Sequence, residues 1–278
     1  MRALPGCHDA DVGEFERETA VTSNGDGTWA TELSTNWNIG DSANGGYALT
    51  PALRAACEIG GHPDPISVTT HFLRPVQGGG SGRVAAGLVR SGRTVSVATG
   101  TLHQAGADRL VVNVVFGDVG PTDADPDAPS MAPAAPSIPP PDRCIDRTEL
   151  VQGVDLPIAS RVDVRIAPER AVAGASPDAV MEGWIRLADG TPPSTLALPL
   201  FADAFPPSLF AKFGRVGWVP TIELTVHARR RPADGWCQAR FECDDLSGGR
   251  MIETGTLWDS TGRVVARSRQ LGLLLTGE

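Results

Sequence analysis

Cysteine, tyrosine and long apolar runs are scarce in this 278-residue sequence, which has five cysteines and one tyrosine. The cysteines form no Cys-x-x-Cys pair, which argues against a zinc-binding motif and against a disulfide framework. No run of about 18 apolar residues occurs, so we expect neither a membrane-spanning helix nor a membrane partner. The first residues also lack the apolar core of a secretory signal. These absences predict a cytoplasmic protein without a metal.

Positive charge is also scarce. Lys and Arg number 24 against 33 Asp and Glu, which gives a formal net charge of −9 at pH 7. A nucleic-acid partner is therefore not expected, because binding to phosphates requires a basic face. The hydrophobic content of 41% is sufficient for a packed core.

Proline is concentrated in one segment, residues 121–142, which carries eight of the 23 prolines. Such a segment forms neither a helix interior nor a central strand, and is typical of a semi-extended linker. We therefore predict an N-terminal domain at 1–120, a Pro-rich linker at 121–142 and a C-terminal domain at 143–278.

The tetrapeptide TGTL occurs once in each half. The segment TGTLHQAGADRLVVNVVFG (99–117) aligns without a gap with TGTLWDSTGRVVARSRQLG (254–272). Each predicts an antiparallel hairpin, and a helical candidate precedes each, at 44–60 and 194–214. The repeated order predicts a duplicated α+β domain, in which each antiparallel sheet wraps one helix and the two sheets are continuous.

Three segments of the first half, NGGYALTPALRAA, HFLRPV and RSGRTVSVATG, resemble the double hotdog acyl-CoA thioesterases of the type II, TesB-like kind. In the second half, LFADAFPP, VPTIELTVHARRRP and GRVVARSRQLGLL resemble the same family. The resemblance covers roughly residues 37–275. It implies a double hotdog fold of two tandem hotdog units, an acyl-CoA substrate, no cofactor and a role in lipid metabolism. It also implies a homo-oligomer, a dimer or larger.

The resemblance further implies three catalytic residues, which by motif fall on Asp203, Thr221 and Gln270. Asp203 is expected to act as a general base on a water molecule that attacks the thioester, while Thr221 and Gln270 hold that water. Backbone N–H groups at the start of a central helix are expected to bind the developing oxyanion. From the residues alone, Asp203 is better explained as a helix cap or an ion-pair partner, and Thr221 as a strand opener. An exposed strand face explains Gln270 nearly as well.

Asn44 is a favourable N-cap for the first helical candidate, and Pro51 is expected to disturb the helix that follows. Gly45, Gly46 and Tyr47 stand where the family usually has Gly-Gly-Gln. The resemblance implies a substrate-binding segment, whose glycines bring the helix start close to the thioester or the pantetheine arm. Packing between helices is an equally good explanation of the two glycines. The tyrosine leaves open which group takes the hydrogen-bonding role of the glutamine.

Two alternative functions remain open. An enoyl-CoA hydratase on the same fold needs an Asp and a His about five residues apart on one helix, and no His closely follows Asp203. A non-catalytic acyl-CoA binding protein is not excluded by the sequence, because a fold by itself does not determine an activity.

Overall fold

The described part of the first half contains eight strands and three helices. The computed structural model describes residues 12–120, 131–151, 153–215, 217 and 219–275. The helices of the first half are α1 (Glu14–Glu18), α2 (Gly45–Ala48) and α3 (Thr50–Gly60), with a 3₁₀ turn at Thr35–Trp37. Its strands are β1 (Thr22–Ser23), β2 (Thr28–Leu33), β3 (Asn38–Ile39), β4 (Ser42–Ala43), β5 (Asp64–Phe72), β6 (Gly80–Arg90), β7 (Ser96–Gln104) and β8 (Ala107–Gly117).

The second half also places two helices before a run of four long strands, but its longest helix has only six residues. Its helices are α4 (Pro168–Ala171), α5 (Leu198–Asp203) and α6 (Leu209–Phe213), and 3₁₀ turns cover Pro141–Arg143, Arg147–Glu149, Pro157–Ser160 and Thr195–Ala197. Its strands are β9 (Ile145–Asp146), β10 (Val162–Ile166), β11 (Val180–Leu187), β12 (Thr221–Ala228), β13 (Cys237–Ser247), β14 (Arg250–Trp258) and β15 (Val264–Leu273). The two TGTL segments lie in β7 and β14, each the first strand of a hairpin.

Thirteen of the described strands form one antiparallel sheet, in the order β1-β2-β6-β7-β8-β5-β12-β15-β14-β13-β11-β10-β9. The halves meet where β5 pairs with β12, in a register that sets Thr69 opposite Thr225. These two hydroxyls lie 2.9 Å apart. The expected continuous sheet is therefore present. Strands β3 and β4 form a separate two-stranded sheet.

Each half of the sheet packs its buried face on a helix. Helix α3 contacts β6, β7 and β8, while the shorter α5 contacts β12, β14 and β15. Burial alternates along the strands, as in β7, where every second residue is buried. The alternation arises because successive side chains of a strand point to opposite faces, so that only one face of each strand joins the core.

Proline interrupts both helical candidates. Asn44 caps α2, where its side chain accepts a hydrogen bond from the N–H of Tyr47 at 3.0 Å. Pro51 has no N–H to continue the ladder, so α2 ends at Ala48 and α3 begins at Thr50. In the second half, Pro206 and Pro207 separate α5 from α6. The predicted disturbance at Pro51 is confirmed.

The C-terminal part of the predicted linker lies against the second half of the sheet, while residues 121–130 lie outside the described residues. Three carbonyl groups of this segment accept hydrogen bonds: Pro133 from Trp258 at 2.9 Å, Pro136 from Gln238 at 2.5 Å, and Pro139 from Trp184 at 2.8 Å. The three donors are direct neighbours on β14, β13 and β11. A spacing of three residues matches the period of a polyproline II helix, so one side of the segment faces the sheet.

The start of α2 lies against α5 from the other half at a distance that only glycine permits. A Cβ atom on Gly46 would lie 2.5 Å from the carbonyl oxygen of Pro199 and 2.6 Å from the Cα atom of Leu200. Both neighbours are backbone atoms, which cannot move aside as a flexible side chain does. The close approach brings the two halves into direct contact at the first turn of α5.

We predict that Gly46→Ala lowers the free energy of unfolding by about 1–3 kcal/mol, because the added methyl group overpacks this contact. Urea denaturation of the variant and of the wild type measures the difference. Gly87→Ala serves as the control, since a Cβ atom there meets nothing within 4 Å. Equal losses in both variants would contradict the predicted contact.

Candidate functional site

Asp203 is the last residue of α5, and its carboxylate is held by groups from the first half of the chain. The side-chain amide of Asn44 donates to its Oδ2 at 2.8 Å, and the N–H of Gly46 donates to the same oxygen at 3.0 Å. The Asn44 amide also donates to the backbone carbonyl of Asp203 at 2.9 Å. The capping end of one helix therefore fixes the orientation of a carboxylate at the end of another.

Thr221 and Gln270 continue from Asp203 as a chain of hydrogen bonds. The hydroxyl of Thr221, the first residue of β12, donates to Asp203 Oδ1 at 3.4 Å, a long contact. The side-chain amide of Gln270, on the neighbouring strand β15, donates to the Thr221 hydroxyl. The structure therefore brings Asp203, Thr221 and Gln270 together.

Burial and hydrogen bonding act in opposite directions on the Asp203 carboxyl. Burial is the larger effect and raises its pKa from the ordinary 3.8 to about 6, because the charged form loses hydration. Hydrogen bonds that favour the charged form lower the pKa, and their donors are Gly46, Thr221, Gly45 and Asn44. With a pKa of about 6, the group is mostly ionised at neutral pH and basic enough to accept a proton.

A cavity of about 640 Å³ opens beside Asp203 and takes its walls from both halves. Asn44, Gly45, Asp203, Thr221 and Gln270 line one part of it. Much of the remaining wall is apolar, and includes Phe72, Phe205, Phe210, Phe241 and Met251. A polar group of fixed geometry beside an apolar chamber is typical of a site for a ligand with one reactive and one hydrocarbon end.

The residues of the Gly45–Tyr47 segment lie in different surroundings. Gly45 lines the cavity, and a Cβ atom there would lie 3.0 Å from Asp203 Oδ2. Gly46 approaches α5, so the packing explanation holds for this glycine.

The Tyr47 side chain corrects the expectation of substrate contact. It is 0% exposed and stacks on Trp37, with ring centroids 5.0 Å apart. Its hydroxyl donates to the Glu18 carbonyl at 2.9 Å and accepts from the N–H of Ser34 at 2.8 Å. Tyr47 is therefore a core residue that lies outside the cavity wall.

Two buried ionisable residues of the cavity wall were not predicted. Glu253 accepts hydrogen bonds from the backbone N–H of Ser208, at 2.9 Å, and from its hydroxyl, and burial raises the pKa of this carboxyl. Glu253 lies directly opposite Gln270 on the paired strands β14 and β15. The alternation of inward and outward side chains along β14 would have predicted that Glu253 lies on the buried face. Arg147, on the 3₁₀ turn Arg147–Glu149, is only 5% exposed and carried no such signal.

The described residues were also compared with the requirements of a metal site and of a membrane-spanning helix. In this part of the chain, no three His, Cys, Asp or Glu side chains cluster closely enough to hold a metal ion. None of the described helices has the length and apolar character needed to cross a bilayer.

Comparison with protein families gives two matches, which together cover most of the chain. Residues 33–117 match the N-terminal domain of acyl-CoA thioesterases, and residues 127–274 match the C-terminal domain. Among curated proteins, an uncharacterised protein of Mycobacterium tuberculosis H37Rv is 28% identical, with 87% of this chain and 89% of the relative covered.

Solved structures show the same fold. A provisionally named thioesterase II from Thermobifida fusca YX superposes with a TM-score of 0.84 at 32% identity, over 96% of this chain and 99% of that chain. The acyl-CoA thioesterase II TesB2 of Mycobacterium marinum gives a TM-score of 0.71 at 20% identity, over 95% and 99% of the two chains. A hotdog-fold protein from Alicyclobacillus acidocaldarius gives 0.82 at 21% identity, over 96% and 100%. The predicted double hotdog fold is confirmed.

We predict that the Asp203 carboxyl titrates near pH 6 in the folded protein, and that Thr221→Val moves its pKa higher by removing a hydrogen bond to the charged form. Carbon NMR of ¹³C-labelled aspartate measures both values, with the resonance assigned by its absence in Asp203→Asn. Between pH 3.8 and about 6 the folded chain holds this proton while the unfolded chain releases it. The contribution of Asp203 to the free energy of unfolding therefore falls as pH rises through that interval.

Thr225→Val is the matched control for this titration, because Thr225 lies on the same strand but bonds to Thr69 and Glu223. It should leave the Asp203 pKa unchanged. A wild-type value close to 3.8 would contradict the burial of this carboxylate.

Proposed function

The chain belongs to the acyl-CoA thioesterase family, and we propose that it hydrolyses an acyl-CoA to the free carboxylic acid and CoA, with Asp203 as general base. The observation that carries the proposal is the chain of hydrogen bonds from Gln270 through Thr221 to Asp203 in the wall of a largely apolar cavity. The mechanism is argued from these contacts together with the residue pattern of the family.

The proposed reaction needs no covalent intermediate. A water molecule attacks the carbonyl carbon of the thioester and transfers one proton to Asp203, and the electron pair of the carbonyl bond moves to the oxygen. When this tetrahedral intermediate collapses, the carbon–sulfur bond breaks and the CoA sulfur takes the proton from Asp203. The products are the carboxylic acid and the CoA thiol, and the aspartate is ionised again. A positioned base of this kind contributes about 10²–10⁴-fold to the rate.

The hydrogen bonds of the site support Asp203 as the base and Gln270 as a group that holds the attacking water. Asn44 and Gly46 both bind Oδ2 of Asp203, so Oδ1 is the oxygen directed towards Thr221. A water between Asp203 and the amide of Gln270 would have an acceptor and a donor with fixed positions. Such fixed partners lower the entropic cost of bringing the water into line with the carbonyl carbon.

The composition of the cavity supports an acyl-CoA as the ligand. Its volume of about 640 Å³ lies within the usual range of small-molecule sites, and its aromatic and aliphatic wall favours a hydrocarbon chain. Arg74 and Arg215 also line it, one from each half. Their side chains provide positive charge for the phosphate groups of CoA.

The hydratase alternative has less support than the thioesterase. It requires a histidine near the acid, and no histidine occurs among the described residues that line the cavity. The non-catalytic binder has the same fold and the same cavity, so only a measurement of turnover separates it from the thioesterase.

We further propose a cytoplasmic location, a role in lipid metabolism and a homo-oligomeric state, as expected from the sequence and its family. The outermost described strands of the large sheet, β1 and β9, contain only two residues each. They offer few backbone groups for pairing with a second chain. A homo-oligomer would therefore use another surface.

We predict that the protein releases CoA thiol from at least one member of a panel of acyl-CoA esters from acetyl to stearoyl. Asp203→Asn should lower kcat by about 10²–10⁴-fold and still bind the substrate, because the amide keeps the size of the carboxylate but accepts no proton. A thiol-reactive dye measures turnover, and titration calorimetry measures binding.

The control for the comparison of Asp203→Asn with the wild type is Asp108→Asn, which replaces an exposed carboxylate that pairs with His103. It should retain the wild-type rate. Undiminished turnover in Asp203→Asn would eliminate Asp203 as the base. Binding by the wild type without turnover of any ester would favour the non-catalytic binder.

A further inference from the structure

The helix start that was expected to bind the oxyanion is already occupied. The N–H of Gly46 donates to Asp203 Oδ2, and the side-chain amide of Asn44 donates to the same residue. These donors stabilise the base in its charged form. A separate donor is therefore needed for the negative charge that develops on the thioester oxygen.

Arg147 is the buried residue of the cavity wall whose donors are not fully used. Its Nη1 donates to the carbonyl of Ala204, the residue that follows Asp203. Its Nε is buried without a hydrogen-bond partner. Arg147 forms no ion pair with any residue in the described part of the chain, although it lies close enough to Asp203 for their charges to attract.

A guanidinium in this position is costly to the folded protein unless it meets a negative charge. Removing an ion from water costs several kcal/mol when no partner compensates for the lost hydration. Burial lowers the pKa of Arg147 to about 10, so the group still carries its charge at neutral pH. The charge of Asp203 offsets part of this cost. The unused Nε–H still indicates an acceptor that binds during the reaction.

We propose that Arg147 is a further catalytic residue, whose guanidinium donates a hydrogen bond to the thioester carbonyl oxygen as that oxygen becomes an oxyanion. The inference rests on the proposed function. It assigns the first half to holding the base through Asn44 and Gly46, and the second half to binding the oxyanion.

The charges balance throughout the step. Before attack the negative charge resides on Asp203, and after attack Asp203 is protonated and the charge resides on the former carbonyl oxygen. Arg147, which contacts the residue next to Asp203 and lines the same cavity, compensates the charge in both states. No other group has to change its protonation.

A purely structural role makes different predictions. If Arg147 only caps the end of α5, its loss lowers stability and alters the position of Asp203. If it only tunes Asp203, its loss moves the pH dependence of the rate, and the rate at high pH is retained. An oxyanion donor acts on kcat at every pH and on the binding of tetrahedral analogues.

The test compares Arg147→Gln and Arg147→Lys with the wild type and with Arg186→Gln, whose guanidinium pairs with Asp163 away from the cavity. For each, kcat and KM are measured on the best substrate of the panel across the pH profile. The ratio of affinities for two inert CoA analogues is also measured. One is a thioether, and the other is a trifluoromethyl ketone that binds as its tetrahedral hydrate.

Arg147→Gln should lower kcat on the pH plateau by about 10²–10³-fold with little change in KM, and should remove the preference for the ketone. Arg147→Lys keeps a charge and a donor for the Ala204 carbonyl, so it provides the test if the glutamine variant does not fold. It should lower kcat by at least about 10-fold, because the planar fork is lost.

An unchanged plateau kcat and analogue ratio in Arg147→Lys would overturn the proposal. A variant that changes only the apparent pKa of the pH–rate profile would also overturn it. A wild-type protein that turns over no ester would instead refute the proposed function. The two failures are therefore distinguishable.

Discussion

The carboxylate of Asp203 is held by the start of a helix from the other half of the chain, and the rest of the site depends on this contact. Asn44 and Gly46 bind its Oδ2, and Gly46 also allows the backbones of α2 and α5 to approach. Neither half contains the whole site. The pairing of β5 with β12 in the continuous sheet holds the two halves side by side, which keeps Asn44 and Gly46 next to Asp203.

The same contact explains the electrostatics of the site. A carboxylate in a largely apolar cavity would remain protonated at neutral pH if nothing opposed its burial. The donors at the helix start oppose it, and together with Thr221 they hold the pKa at about 6. Arg147 adds a positive charge near the end of α5. The cavity therefore stabilises one negative charge, which the proposed reaction moves from the base to the substrate oxygen.

Much of the fold could be predicted from local patterns. Alternation and the repeated TGTL segments predicted the two hairpins, and Pro51 predicted the break between α2 and α3. These features depend on neighbouring residues, so the sequence carries them directly. Asp203, Thr221 and Gln270 are far apart along the chain. They were identified only through the resemblance to a family, because their meeting depends on the pairing of β12 with β15 and on the docking of α5.

The error at Tyr47 has a simple geometric origin. Successive residues of a helix are rotated by about 100°, so Tyr47 points about 200° away from Gly45, which lines the cavity. Ala48, one residue further, returns to the cavity side. Arg147 could not have been predicted, since a three-residue 3₁₀ turn has no periodicity that would show which side is buried. The role proposed for it rests on what surrounds it in the folded chain.

A single turnover in ¹⁸O-labelled water, with enzyme in excess over acyl-CoA, tests most directly whether Asp203 directs a water molecule at the thioester. The account predicts one ¹⁸O atom in every molecule of released acid and none in the protein, as found by mass spectrometry of the product and of the peptide that contains Asp203. Incorporation of ¹⁸O into Asp203, with unlabelled acid released, would show that its carboxylate attacks the substrate and would contradict the account.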